Sequence, residues 1–306
     1  MLRTLCSQIK GFPPLSDNYS TLGNYYLFSV DVEDVRDQLC DGYLYSERVP
    51  AMLEKYLNFL DQHQAKATFF VVGNVARKYP HLIREILSKG HEVGAHGNDH
   101  TPLDNLGVKR FGEDLKKNIE HLNNCGVEHV LGYRAPIFSL TQKTQWAYEV
   151  LERLGFCYSS SVLPGRNPLY GWPEFGTQSR KINNIWELPM SVAPFKYFKI
   201  PYSGGVYFRV LPFWLTSYFH KRSLKKHDAI FSYFHPYDVD TEQEKFMHPG
   251  ISNSRFFNHL MYFGRDPVFA KLAKVIKKTD SRIIPYINFV NQLERNNGAD
   301  RRKTCS

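Results

Sequence analysis

The sequence predicts an α/β protein whose parallel strands close, or nearly close, into a barrel. Apolar, β-prone runs at residues 25–30, 67–72 and 91–95 alternate with stretches of helical periodicity. Such alternation is typical of parallel strands with helices packed outside them. The 306 residues are 42% hydrophobic, which suffices for one large core without disulfide or metal staples.

The individual elements follow from local signals along the chain. The run at 67–72 ends at Gly73, and a second short apolar run leads to His96. Between residues 161 and 203 the sequence is rich in proline and aromatic side chains, which predicts long loops around a substrate groove. The helices are expected at 50–64, 74–89, 106–125 and 141–154, and further strands at 131–134 and 156–160.

Composition argues against several classes of protein. The formal charge of +9 would suit nucleic acid, but the basic residues are spread and no recognition motif or zinc finger accompanies them. Five scattered cysteines without a Cys-x-x-Cys pair favour a reducing compartment and argue against a thiol nucleophile. No run approaches the roughly 20 apolar residues of a membrane span, and the first 20 residues lack a signal-peptide core. We therefore expect a cytoplasmic protein without a nucleic-acid partner.

Two polar motifs follow apolar runs and predict a metal site. His96 and His100 are four residues apart just past one predicted strand, and an acidic cluster of Asp31, Glu33 and Asp34 closes another. The carboxyl ends of parallel strands meet at one edge of a sheet, where a ligand crevice can open. Two imidazoles and one carboxylate suit Zn²⁺, with Co²⁺, Fe²⁺ or Ni²⁺ as alternatives. The two motifs together indicate a hydrolase.

The order of these motifs resembles the polysaccharide deacetylase family, which is carbohydrate esterase family four and shares the chitooligosaccharide deacetylase homology domain. The matching segments are residues 29–34, 96–100, 132–139 and 231–236, with a weaker fifth at 185–189. The chain is also similar to the branch that accompanies bacterial exopolysaccharide and exosortase loci. That narrower similarity rests on residues 30–34, 186–189, 204–209 and 234–238.

The resemblance covers almost the whole chain and implies its organisation. It predicts a distorted (β/α)7 barrel whose site lies at the carboxyl ends of the strands. Residues 23–293 form the catalytic domain in this interpretation. Residues 1–22 are then an N-terminal extension, and residues 294–306 are a mobile C-terminal tail.

The resemblance also implies a role for each motif residue. Asp31 matches the general base, and Arg134 matches the residue that pairs with the base and keeps it ionised. His235 matches the general acid that protonates the departing amine. His96, His100 and one carboxylate would hold the divalent metal, which lowers the pKa of bound water and polarises the acetyl carbonyl.

The sequence leaves the third metal ligand open. The family's first motif has two adjacent aspartates, the second of which binds metal, whereas here Val32 follows Asp31. An Asp-x-Asp spacing would select Glu33, because residues two apart on a strand point the same way. A chain that is already turning would present Asp34 instead. We prefer Asp34 by a small margin, since the family's ligand is an aspartate.

The sequence defines less sharply which residues surround His235 and which contact the substrate. In the family a tryptophan motif carries an aspartate that orients the acid histidine, and Glu187 is only a loose match for it. The expected substrate contacts come from motif residues and nearby aromatic rings. They are Pro136, Phe138, Trp186 and Tyr207.

These assignments predict a metal-dependent N-deacetylase that acts on an amino sugar of a bacterial surface polysaccharide or of its polyprenyl-phosphate-linked precursor. The alternatives are hydrolysis of another amide, as in allantoinase-like relatives, or of an O-acetyl ester, and a catalytically inactive sugar-binding module.

The basic and aromatic segment at residues 209–226 has two interpretations: peripheral contact with anionic lipid at the inner face of the membrane, or a buried helix with a solvated basic end.

Overall fold

The computed structural model describes residues 23–165, 170–193, 199–227 and 229–303, the last six by their backbone alone. The strands are β1 Tyr25–Leu27, β2 Ser29–Val32, β3 Thr68–Val71, β4 Glu92–Ala95, β5 Gly132–Tyr133, β6 Tyr158–Ser159, β7 Arg180–Ile182, β8 Ile185–Glu187, β9 Ala229–Phe231 and β10 Arg282–Ile284. The helices are α1 Val49–Gln62, α2 Gly73–Lys78, α3 Pro80–Ser88, α4 Leu103–Asn124, α5 Ala147–Arg153, α6 Gly205–Val210, α7 Phe213–His227, α8 Arg255–Tyr262, α9 Val268–Thr279 and α10 Tyr286–Lys303.

The strands form two sheets that join into a distorted barrel. Their orders are β10-β1-β9 and β2-β3-β4-β5-β6-β8-β7, and the pair β7–β8 is antiparallel while the other pairs are parallel. A parallel bridge between Val30 and Phe234 joins the sheets on one side. On the other side the Phe231 amide donates to Ser191 Oγ at 2.9 Å. The predicted α/β barrel is confirmed.

Local chemistry explains where the helices break. The helix expected at 74–89 is in fact α2 and α3, and Pro80 occupies the first turn of α3. Proline has no amide hydrogen to donate and its ring blocks the preceding turn, so it starts a helix more readily than it continues one. In α1, the side chains of Leu53, Leu57 and Leu60 lie on one face and are buried against the sheet layer.

The barrel places polar residues together at one end. Strands β2, β4 and β5 are buried along their lengths and end at Val32, Ala95 and Tyr133. Because these strands are parallel, their carboxyl ends share one face of the barrel. The polar residues that follow are Glu33, His96, Arg134 and, a few positions past β9, His235.

The chain ends and the cysteines differ in part from expectation. The extension at 1–22 lies outside the described residues. At the other end, α10 continues past Glu294, whose carboxylate binds Lys181 and Trp186, so the expected tail begins inside a packed helix.

The state of one cysteine bears on the expected compartment. Cys157 is disulfide-bonded, which a reducing compartment does not favour, so the cytoplasmic expectation gains no support. None of the described helices combines the length and apolarity that crossing a bilayer requires.

Candidate metal centre and active site

Three metal-ligating side chains converge at the carboxyl end of the barrel. Ligand atoms of Glu33, His96 and His100 all lie within 4.8 Å of one another, the one such group of three in the described part of the chain. His100 Nε2 is 2.6 Å from Glu33 Oε2. The two histidines meet because the loop after β4 turns back through left-handed φ angles of 74° at Gly97 and 56° at His100.

The protonation of this group suits a divalent metal. His96 Nδ1 is 2.8 Å from the Arg134 carbonyl oxygen, so Nδ1 carries the proton and Nε2 keeps its lone pair. Burial lowers the pKa of His96 to about 4, which keeps the imidazole neutral. Burial alone would raise the pKa of Glu33, but His100, His235 and His96 together outweigh it and lower that pKa to about 2. Two imidazoles and one carboxylate are the donors of an open catalytic zinc site.

The structure places Glu33, and not the preferred Asp34, beside the two histidines. Asp34 caps the short 3-10 helix Val35–Gln38 and accepts a hydrogen bond from the Arg36 amide. Its two carboxylate oxygens also accept bonds from the Arg36 guanidinium, at 3.0 and 2.5 Å. An arginine fork matched to a carboxylate is a strong, oriented pair. It engages Asp34 and leaves Glu33 with the histidines.

Asp31 is held by a fully buried arginine. Arg134 Nη1 donates to Asp31 Oδ1 at 2.6 Å. The same guanidinium donates to Ser29 Oγ, to the Ser160 carbonyl and hydroxyl, and to the Tyr286 hydroxyl. Both terminal nitrogens and Nε of the guanidinium therefore have hydrogen-bond acceptors, which a buried charge requires. Arg134 fixes the carboxylate of Asp31 in one orientation.

His235 lies beside Glu33 and has its own carboxylate partner. Its Nδ1 is 3.0 Å from Asp238 Oδ2, and its Nε2 is 3.8 Å from Glu33 Oε1. Arg209 Nε donates to the second Asp238 oxygen at 2.9 Å. Burial alone would lower the pKa of His235, but the hydrogen bond to Asp238 and the charges of Asp238, Glu33 and Asp31 together outweigh it and raise that pKa to about 9. The imidazole is thus protonated at neutral pH, as a general acid must be.

Asp238, and not Glu187, is the carboxylate partner of His235. Pro236 starts the 3-10 helix Pro236–Val239, which returns the chain so that Asp238 Oδ2 also accepts the His235 amide at 2.9 Å. Glu187 is buried elsewhere and accepts the amides of residues 161 and 162 together with the Tyr148 hydroxyl. The His-Pro-Tyr-Asp spacing was the available signal for Asp238, and the family-like segment at 204–209, which ends at Arg209, was the available signal for its partner.

The expected substrate residues divide into two groups. Phe138 and Tyr207 are half-buried beside Tyr233. The Phe138 and Tyr233 rings are 5.0 Å apart, and burial, with a smaller contribution from Tyr207, raises the pKa of Tyr233. Pro136 is buried against the turn at Gly97. Trp186 is 7% exposed and its indole donates to Glu294, so the sugar contact expected of it is not supported.

Comparison with known families covers both halves of the chain. Residues 41–158 match the family described as Polysaccharide deacetylase. Residues 160–286 match a second family, described as Domain of unknown function (DUF3473). The first match contains His96, His100 and Arg134, and the second contains His235 and Asp238.

Curated relatives match part of the chain. A chitooligosaccharide deacetylase of Azorhizobium caulinodans is 33% identical over 93 residues, 28% of this chain and 42% of its own length. A peptidoglycan-N-acetylglucosamine deacetylase of Bacillus cereus is 31% identical over 96 residues, 31% of this chain and 35% of its own length. An uncharacterized protein, YlxY, of Bacillus subtilis is 37% identical over 87 residues, 28% of this chain and 26% of its own length. These matches span less than half of each relative.

One solved structure shares the fold along nearly the whole chain. It belongs to a Mycobacterium smegmatis protein assigned to the polysaccharide deacetylases, with a TM-score of 0.59 and 17% identity. The likeness covers 95% of this chain and 96% of that one. The resemblance drawn from the sequence motifs is confirmed.

Proposed function

Because the chain belongs to the polysaccharide deacetylases through residues 41–158 and to DUF3473 through residues 160–286, we propose that it is a metal-dependent N-deacetylase. Its substrate in this proposal is an N-acetylated amino sugar of a bacterial surface polysaccharide or of its lipid-linked precursor. One observation carries the proposal. The metal-ligating group of Glu33, His96 and His100 lies near both a held carboxylate, Asp31, and a protonated histidine, His235.

Glu33, His96 and His100 would hold the metal, with Zn²⁺ preferred and Co²⁺, Fe²⁺ or Ni²⁺ as alternatives. A bound divalent ion supplies an acidic water and a Lewis acid for the acetyl carbonyl. The Arg134 carbonyl orients His96 through its Nδ1. Contacts of this kind, outside the ligands themselves, set affinity and geometry in metal sites.

The chain's own residues would then move two protons. Asp31, oriented by Arg134, takes a proton from the attacking water as a carbon–oxygen bond forms at the acetyl carbon. His235, oriented by Asp238, gives the proton on its Nε2 to the amide nitrogen as the carbon–nitrogen bond breaks. The products are acetate and a free amine. Both groups already have the protonation or orientation that their step requires.

A narrow recess beside the metal-ligating group has charged and aromatic walls. It is bordered by Glu33 and Tyr237. Its walls include the Asp34–Arg36 pair and Arg48, which offer charged hydrogen-bonding groups. The Tyr237 ring stacks on His235 with centroids 4.6 Å apart, so the recess leads directly to the acid. Sugar hydroxyls bind well to such a combination of aromatic and charged surfaces.

Metal content and acetate release from N-acetylated oligosaccharides, measured on the same samples, test the proposal. We expect wild type to hold about one metal equivalent, and Glu33→Ala to lose it together with turnover. Asp34→Ala is the matched control and should keep the metal, because Arg36 and not the metal engages that carboxylate. Asp31→Asn should keep the metal and lose turnover.

Three outcomes would contradict the proposal. Acetate release without a free amine would indicate an O-acetyl esterase. Absence of both metal and acetate, even after reconstitution with Zn²⁺ or Co²⁺, would indicate a sugar-binding module. Metal loss in Asp34→Ala but not in Glu33→Ala would overturn the ligand assignment.

A further inference from the structure

We propose that α7 docks on the surface of an anionic phospholipid bilayer. The docking surface, which we name the aromatic–basic stripe, is the exposed face of this helix. It consists of Trp214, Tyr218, Lys221, Arg222, Lys225 and Lys226. This contact is separate from the chemistry at the barrel end and does not depend on the proposed deacetylase activity.

The stripe follows from the helical repeat. Trp214, Tyr218, Arg222 and Lys226 are four residues apart, so they lie on one face, while Phe219 on another face is buried. The Trp214 side chain is 69% exposed and that of Tyr218 is 52% exposed. Large aromatic rings left in water at one end of a helix are characteristic of interfaces, and in bilayers they occupy the headgroup level.

The charge on this surface has one sign. Residues 213–227 contain no aspartate or glutamate, and the exposed charged side chains of α7 are lysines and an arginine. Helix α9 packs beside α7 and adds exposed Lys274, Lys277 and Lys278. Lysines and arginines next to exposed aromatic rings complement a negatively charged lipid surface, which attracts the basic groups while the rings partition into the interface.

A second group of exposed aromatic rings lies on and just after α8, a helix that contacts α6. Phe256 and Phe257 of α8, and Phe263 just after it, are each more than half exposed. Arg209 of α6 binds the end of α8 by donating Nη1 to the carbonyls of residues 260, 261 and 263. Only residues 211 and 212 separate α6 from α7. The second aromatic group is therefore tied to the segment that leads into the stripe.

The shape of the surface favours lipid over single-stranded nucleic acid. Proteins that bind single strands combine a basic groove with aromatic platforms spaced along it. Here the basic and aromatic residues lie on a convex helix, with the rings near its start and the basic groups toward its end. A planar, deformable partner can contact such a surface along its whole length.

Vesicle co-sedimentation of the whole chain tests the charge component. We expect binding to vesicles that contain phosphatidylglycerol, little binding to phosphatidylcholine alone, and weaker binding as salt rises. The double variant Lys221→Gln/Arg222→Gln should weaken partitioning roughly thirtyfold at low salt, since each basic residue near the surface contributes about fivefold. The control Lys116→Gln/Lys117→Gln removes the same charge from exposed positions of α4 and should bind as wild type does.

Tryptophan fluorescence tests the aromatic component. Trp172 and Trp186 are buried and Trp146 is half-buried, so a blue shift on adding anionic vesicles should come from Trp214 and vanish in Trp214→Phe. Equal binding to both lipid mixtures, equal losses in the stripe and control variants, or a shift that persists in Trp214→Phe would overturn the proposal. Tighter binding to a single-stranded oligonucleotide than to anionic vesicles would overturn it as well.

Discussion

Replacing Asp238 with asparagine tests the buried ion pair behind His235. The side chains of Asp238 and Arg209 are both 0% exposed, with 2.9 Å between Oδ1 and Nε. Asparagine keeps the size of the side chain but removes its charge. The Arg209 guanidinium would then remain in the interior with carbonyl oxygens from the end of α8 as its acceptors.

The expected cost follows from this burial. Breaking a buried pair by removing one partner costs about 3–5 kcal/mol, and we expect the lower end because the carbonyl contacts of Arg209 persist. A loss of about 3 kcal/mol is within the roughly 5–15 kcal/mol of a typical domain, so the variant should still fold. His235 loses its charged acceptor, and an orienting contact of this kind is worth about 10–100-fold in activity. The effect should appear in kcat more than in KM.

Asp240→Asn provides the matched control. Asp240 pairs with Arg48: the Asp240 side chain is 1% exposed, but that of Arg48 is 24% exposed and also binds Glu242. The cation left behind stays partly solvated, so this substitution should cost less stability than Asp238→Asn. Urea unfolding at pH 7 gives the free energy of unfolding for both variants, and acetate release gives kcat and KM. Equal losses of stability in the two variants, or an unchanged kcat in Asp238→Asn, would refute the reasoning.

Further predictions concern other parts of the fold. Burial lowers the pKa of His91 to about 4, below its ordinary 6.5. Between pH 4 and pH 6.5 the unfolded state therefore binds more protons than the folded state, so the free energy of unfolding falls as the pH drops through this range. His91→Asn should flatten this dependence by up to about 1.4 kcal/mol per pH unit in urea titrations; an unchanged slope would contradict it. Gly97→Ala should weaken metal binding, because a left-handed φ of 74° costs a side chain about 1–2 kcal/mol and relief of that strain would move the turn that joins His96 to His100. Gly155→Ala, with a φ of 85° at a position far from the histidines in the sequence, should keep metal. Trp186→Phe should leave the KM for oligosaccharides unchanged, and a large rise in KM would restore that ring to the substrate site.

Much of the site could be predicted because strand ends are visible in a sequence. An apolar run followed at once by polar residues marks the place where a buried strand emerges, as at Ala95 before His96. Spacing and motif order then limit the chemistry, since two histidines four apart can meet across one turn of chain. Buried arginines are harder to predict. The role of Arg134 came from the motif, whereas Arg209 gave no local sign of its burial.

The choice between Glu33 and Asp34 shows where local reasoning fails. Both carboxylates follow β2, and both could turn toward the histidines. The outcome depends on Arg36, whose guanidinium captures Asp34 in the turn that follows the strand. A competition between a local partner and a distant one depends on relative geometry, which residue spacing alone does not specify.

The sequence by itself determined the α/β class, the barrel and the identities of the catalytic candidates, because these depend on periodicity and on motifs close along the chain. Only the tertiary structure decided which side chains face one another. The bond between Arg134 and Asp31 joins residues 103 positions apart, and the pair of Arg209 with Asp238 joins two elements that meet only when the barrel closes. The orientation of a buried polar group depends on every neighbour competing for its hydrogen bonds, and those neighbours come from distant parts of the chain.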